Sequence, residues 1–234
     1  MTNNENKEKI MAKDYLTFTS PLGTLEWVTI TGTGKKKYDP TNALTDEPKN
    51  FQYTANLIIT EEEAKKLTAE FLKFWREFKP AGATKQTYDI VKPVMVNVLD
   101  AAGKPTVDED GAKVMKPNGK WMITAKTGVL GWKDKPTVVN VYRPNLDKFG
   151  KLVPLDLGDK EIGNGSTGVI HGKIGINGFG GNEGLMVYLN GIQLLKFVER
   201  TDSEEPTGAD LGDGDLGDLD EIEGLDEAAD GPAI

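Results

Sequence analysis

The chain of 234 residues has no cysteine and a single histidine, His171. Without cysteine there are no disulfides and no thiolate zinc site, which fits a reducing compartment. With one histidine, placed mid-strand beside Gly172 and Lys173, no Ser-His-Asp or Cys-His set assembles and no metal cluster is visible. His171 reads as a structural or polar-contact residue. No apolar run approaches the ~20 residues that span a bilayer. The opening MTNNENKEKI lacks the apolar stretch of a signal peptide. The expectation is a soluble, cytoplasmic, non-catalytic protein with no cofactor, no metal and no membrane partner. A β-barrel enzyme would need a carboxylate pair that the sequence does not display.

Basic residues are missing altogether from Thr201–Ile234, where 13 residues are acidic. Asp213, Asp215, Asp218, Asp220, Glu221, Glu223, Asp226 and Glu227 form its densest part, spaced by Gly and single aliphatics. Such a segment buries too little apolar surface to offset its ordering entropy, so a disordered tail is expected over 201–234. Like-charge blocks of this kind commonly act as interaction tails. The chain as a whole has 28 basic and 37 acidic residues, a net charge of −9; residues 1–200 keep 28 basic against 24 acidic, a net of +4. A mildly basic body therefore carries its own polyanion. The tail reads either as a solubilising appendage or as a mimic of a nucleic-acid backbone that competes for the body's own groove.

Residues 1–12 read as a flexible lead and 13–200 as one domain. Leu16–Thr19 and Thr24–Thr31 alternate and predict one long strand bent at Pro21–Gly23, with Leu25, Trp27 and Thr29 sharing a face. Phe51–Ile59 predicts a second strand that runs into a helix. Thr60 is its N-cap, Glu63 completes a capping box, and Leu67, Phe71, Phe74 and Phe78 form its core stripe until Pro80 and Gly82. Phe74 and Trp75 are read as core. Tyr88–Leu99, interrupted by Pro93, is an edge segment. Ala101–Gly119 is polar and turn-rich, and its Asp108-Glu109-Asp110-Gly111 lacks the spacing of a calcium loop. Further strands are expected at Lys120–Val129, Thr137–Arg143, Val169–Ile176 and Leu185–Val198, the last with a bulge at Asn190-Gly191. Pro144–Leu157 is a loop or hairpin tip. Gly163, Gly165 and Gly168 satisfy G-x-G-x-x-G, but a strand follows them where a dinucleotide site needs a helix. No linear motif repeats along the chain.

One helix among several strands points to a mainly β fold, a small antiparallel barrel. Outside the helix, cations alternate with rings: Lys35, Lys36, Lys37, Tyr38, Trp121, Lys126, Trp132, Lys133, Tyr142, Arg143, Lys173 and Phe179. Single-stranded nucleic acid needs both ingredients, since cations follow the phosphates and flat rings stack on unpaired bases. Trp121 and Tyr142 fit the barrel core as well as they fit a ligand.

The opening FTSPLGT (Phe18–Thr24), the strand NFQYTANLII before a helix, the pair KWMITAK and VVNVYRPNLD, the IGNGS stretch and the acidic C-terminus carry a resemblance. Together they resemble the OB-fold single-stranded DNA-binding proteins of tailed bacteriophages, of the phage T-seven replication-protein type. The resemblance implies an OB-fold-like barrel of five or slightly more strands. It implies a protein that coats single-stranded DNA during phage DNA replication, recombination and repair in the cytoplasm of the infected host. Lys126 falls where the family has a strand lysine facing DNA, and Phe179 falls in a hairpin that carries stacking aromatics. The acidic tail would contact the replication polymerase and the helicase or primase, support a homodimer, and shield the groove when DNA is absent. Duplex DNA is a second candidate ligand. The family's typical tail finishes with an aromatic, whereas this chain finishes Gly231-Pro232-Ala233-Ile234, so the usual polymerase docking does not carry over. The alternative is an acidic-tailed protein-interaction module, a DNA mimic or chaperone-like protein, that does not bind DNA.

Overall fold

A computed structural model of the chain describes residues 15–39, 41, 43–80, 87–88, 90–177 and 184–201. The expected N-terminal lead, the acidic tail and Phe179 lie outside the described residues. The strands are β1 (Leu16–Thr19), β2 (Gly23–Thr29), β3 (Lys35–Lys36), β4 (Phe51–Ile59), β5 (Thr87–Tyr88), β6 (Val91–Asn97) and β7 (Met115–Gly128). They continue with β8 (Asn140–Leu146), β9 (Leu152–Pro154), β10 (Ser166–Asn177) and β11 (Gly184–Lys196), and the one α-helix, α1, is Glu61–Phe78.

Five strands close on themselves. β10 pairs with β2, β2 with β4, β4 with β7, β7 with β11, and β11 with β10 again. This ring is the barrel of an OB-fold, with β2, β4, β7, β10 and β11 as its five strands in chain order. Its pairings are antiparallel except β7–β11, where Val187 pairs with Ala125 and Tyr188 with Lys126 in parallel. β11 is also parallel to β5 and β8, so the sheet is mixed rather than purely antiparallel. Closure leaves the ring without open edges, and the remaining strands extend it.

The core follows from period-two alternation. Leu25, Ala55, Leu57, Ile123, Ala125, Ile170, Ile174, Val187, Leu189 and Ile192 point inward and are buried. Helix α1 begins at the capping box that its sequence specifies: Thr60 Oγ1 accepts from the Glu63 N–H, and the Glu63 carboxylate accepts from the Thr60 N–H at 3.0 Å. Leu67, Phe71, Phe74 and Trp75 are buried against the barrel, with Phe71 beside Phe18 at 5.7 Å between ring centroids.

Several expectations need correction. β1 and β2 are separate strands, yet both lie along β10, so the bend at Pro21–Gly23 keeps one partner. Trp27 does not share a face with Leu25. It sits at φ +47 in a bulge where the register with β4 slips between Glu26 and Thr29, and Val28 takes the next inward position. One extra residue in a strand reverses the alternation beyond it. β8 starts at Asn140 rather than Thr137, and 144–157 is a hairpin rather than a loop.

A repeat is present after all. Asp100, Asp108 and Asp147 each open a hairpin of the form D-x-x-G-x, closed by Gly103, Gly111 and Gly150 at φ +77, +80 and +74. In each, the aspartate Oδ1 accepts two backbone N–H groups, for example Phe149 and Lys151 on Asp147, both at 2.8 Å. The glycine supplies the left-handed residue that this turn and bulge require. Asp108 is therefore a turn residue. The first two hairpins are eight residues apart, and their strands close a triangle of backbone bonds: Val98 N–H to Val114 O, Val114 N–H to Thr106 O, Thr106 N–H to Val98 O.

Candidate nucleic-acid interface

Residues that alternate with the core point outward, and pairing register decides which of them meet. One row crosses five strands: Thr54 on β4 pairs with Lys126 on β7, Lys126 with Tyr188 on β11, Tyr188 with Lys173 on β10, and Lys173 with Thr17 on β1. The phenol ring of Tyr188 thus stands between two lysines. Neither Lys126 nor Lys173 has an ion-pair partner among the described residues. Tyr15 packs edge-on against Tyr188, 5.5 Å between centroids and 76° between planes. Its ring covers Gly175, where a Cβ would come within 2.6 Å of it. Burial pushes the Tyr188 phenol up to about 12, with Tyr15 adding to the shift.

Neither Tyr188 nor Tyr15 was singled out from the sequence. Tyr188 alternates inside an apolar strand and looks like core there. Only its parity relative to the buried Val187 and Leu189 could have signalled an outward ring.

A second cluster lies along the same outer surface. Tyr142 on β8 faces outward, and its ring lies over Gly191 of β11, where a Cβ would come within 2.6 Å. It meets His171 edge-on at 6.2 Å. The His171 imidazole bridges Thr19 Oγ1 and Gln193 Oε1, each at 3.4 Å, and the Gln193 amide donates to the carbonyls of Arg143 and Pro144. His171 is thus a polar tie between β1, β10 and β11, and Arg143 is exposed.

Two loops meet at one end of the barrel. β3 pairs with the start of β4, and the Val129 N–H bonds to the Phe51 carbonyl. This brings Lys35–Tyr38 to the turn that holds Trp132, Lys133 and Lys135. Trp132 is 80% exposed and Tyr38 61%. Lys133 and Asp134 both adopt left-handed φ near +57 in that turn. Of the three loop lysines, Lys36 pairs with Asp46 at 2.9 Å and Lys37 donates to the Lys49 carbonyl at 2.6 Å. In OB barrels, oligonucleotides bind the face of the second and third strands between the loops joining strands one to two and four to five. Here those strands are β4 and β7. The first loop carries Lys35–Tyr38, and the second, 178–183 with Phe179, lies outside the described residues.

Trp121 belongs elsewhere. It alternates with Ile123 and Ala125 on the inner face of β7 and packs against the core, so it stands on the opposite face from Lys126. The glycine motif is structural. The Asn164 side chain accepts from the Trp27 N–H at 2.8 Å, and the Gly165 N–H bonds to the Leu25 carbonyl. Gly163 lets the chain pass Glu199 and Arg200, where a Cβ would lie 2.8 Å from the Arg200 nitrogen. No α-helix follows it. A concavity of about 300 Å³ between β2 and the β8–β9 segment is walled by Val28, Ile30, Val139, Val141, Leu155 and Leu157. It is largely apolar and lies apart from the lysine–tyrosine row.

One outward carboxylate stands close to the row. Glu26 pairs in register with Asn56, which pairs with Thr124, one step along β4 and β7 from Thr54 and Lys126. Burial raises its carboxyl above the usual carboxylate range, partly offset by Lys120. Among the described residues, no helix is long and apolar enough to cross a membrane.

No family model and no curated protein matches the chain. Among solved structures it is similar to the crystal structure of gp2.5, a single-stranded DNA binding protein encoded by bacteriophage T7: 15% identity, 83% of this chain and 97% of that one, TM-score 0.45. It is also similar to the single-stranded DNA-binding protein of bacteriophage Enc34 in complex with ssDNA: 10% identity, 82% and 89% covered, TM-score 0.44. A C-terminal truncation of the Enc34 protein gives 9%, 79% and 88%, and 0.43. All three structures are of phage single-stranded DNA-binding proteins, the group whose motifs the sequence resembles.

Proposed function

We propose that this protein binds single-stranded DNA without strong sequence preference, coating and protecting it during phage DNA replication and recombination. The row Lys126–Tyr188–Lys173 on the outer barrel face carries the reading. A ring flanked by two free cations offers a base a stacking surface and its phosphates a counter-charge on either side. Tyr15, Tyr142, Arg143, Trp132, Lys133 and Lys35–Tyr38 extend this surface, and Phe179 belongs to it through its place between β10 and β11. Binding of this kind is non-catalytic and needs no cofactor. It also accommodates duplex phosphates, more weakly because paired bases cannot stack.

The acidic tail competes with DNA for the same cations and recruits replication proteins when DNA displaces it. Support for this comes from the charge division, +4 over residues 1–200 against 13 acidic residues beyond. Exposure of the freed tail would also allow a homodimer to exchange for a DNA complex. The test is a fluorescence-anisotropy titration of an oligo-dT with the full chain and with a chain ending at Thr201. The shorter chain should bind more tightly, and affinity should fall steeply with salt. Equal affinities at low salt would remove the competition. No binding by either form would favour the protein-interaction module instead.

A further inference from the structure

Three hairpins of this protein share one turn, and their tips differ. At the two positions after the aspartate stand Ala101-Ala102, Glu109-Asp110 and Lys148-Phe149. The backbone bonds are the same in all three, so the turn does not ask for an aromatic. Phe149 is nevertheless there, 72% exposed at the end of a tied hairpin. Lys148 Nζ lies 5.0 Å from its ring centroid, and Lys151 follows on the other strand. Neither lysine has an ion-pair partner among the described residues. The one carboxylate at the tip, Asp147, is occupied by the N–H groups of Phe149 and Lys151.

The hairpin also has a direction. β8 runs parallel to β11, with Tyr142 level with Gln193. Moving along β11 from Tyr188, the outer surface passes His171, then Tyr142, and β8 then leads through Leu146 to Phe149. At ~3.3 Å per residue, Leu146 lies roughly 30 Å beyond Tyr188. Rings therefore continue from the barrel face toward the hairpin tip.

We infer that Phe149, with Lys148 and Lys151, is a second contact for single-stranded polynucleotide, stacking on a base that has left the barrel groove while the lysines take its flanking phosphates. This rests on the proposed DNA-binding face and extends its footprint along β8. The test compares Phe149→Ala, and separately the double change Lys148→Ala with Lys151→Ala, on oligo-dT of about 6 and about 16 nucleotides, spanning the range of OB-fold site sizes. Ala102 holds the equivalent position in the first hairpin, so the variant turn should form, which circular dichroism checks.

Phe149→Ala should weaken the longer oligonucleotide about five-fold or more and leave the shorter one unchanged. The double lysine variant should do likewise and lower the salt dependence for the longer one alone. Wild-type affinity of Phe149→Ala for both lengths overturns the inference while leaving the barrel site standing. A change in sedimentation mass with no change in DNA affinity would make the tip a contact between copies and overturn it too. Failure of the unsubstituted chain to bind either length sinks both readings.

Discussion

Tyr188 and Lys126 are direct cross-strand neighbours on the outer barrel face, joined by the parallel pairing of β11 with β7. That contact separates two kinds of contribution. Lys126→Ala and Lys173→Ala should each weaken single-stranded DNA binding for all sequences and lower the slope of log affinity against log salt by about 0.7. Arg143→Ala should behave in the same way. Tyr188→Ala and Trp132→Ala should cost ~1–3 kcal/mol per stacked base with the slope unchanged. Salt titrations of the five variants decide it. If ring and lysine variants shift the slope alike, the division of roles is wrong.

The Tyr188 phenol offers a spectroscopic handle. Its folded value, about 12, lies above the unfolded ~10. The neutral phenol therefore contributes stability that is fully present below pH ~10 and lost as pH rises toward 12. Phenolate absorbance should show a late-titrating tyrosine that disappears in Tyr188→Phe. An unchanged titration curve in that variant would mean that Tyr188 is not the shielded ring.

Glu26 carries the opposite chemistry on the same face. Burial raises its carboxyl, so the group favours the fold most at low pH and loses that contribution as pH rises through its folded value. Glu26→Gln should therefore melt higher than the parent at pH 7, with the gap closing below pH ~4. It should also bind single-stranded DNA more tightly, because an anion near Lys126 has gone. A lower melting temperature at pH 7 would show that attraction to Lys120 outweighs the burial cost.

Gly191 is a packing requirement. A Cβ there would meet the Tyr142 ring at 2.6 Å and the Asn140 carbonyl at 2.8 Å. Gly191→Ala should destabilise the protein by about 1–3 kcal/mol in denaturant titration, since the backbone carbonyl cannot move aside. Combining it with Tyr142→Ala should relieve the ring clash but not the backbone one. Full recovery in the double variant would show that β8 shifts freely against β11.

Local signals carried much of this molecule. The capping box at Thr60 and Glu63, the core stripe Leu67–Phe71–Phe74, the bulge at Asn190 and the strand that follows the glycine motif all depend on neighbours a few residues away. Outward placement of Lys126 followed from parity with Ile123 and Ala125 alone. The charge division between body and tail is a property of composition. Ring closure was different, because it joins β10 to β2 and β7 to β11 across long stretches of chain whose pairing no local pattern encodes. Closure set Tyr188 between Lys126 and Lys173, turned Trp121 inward, and let one bulge at Trp27 reverse a face. Side-chain alternation says only that a residue faces in or out; which cation stands beside which ring is decided by strand register, and register is fixed by the packing of the whole barrel.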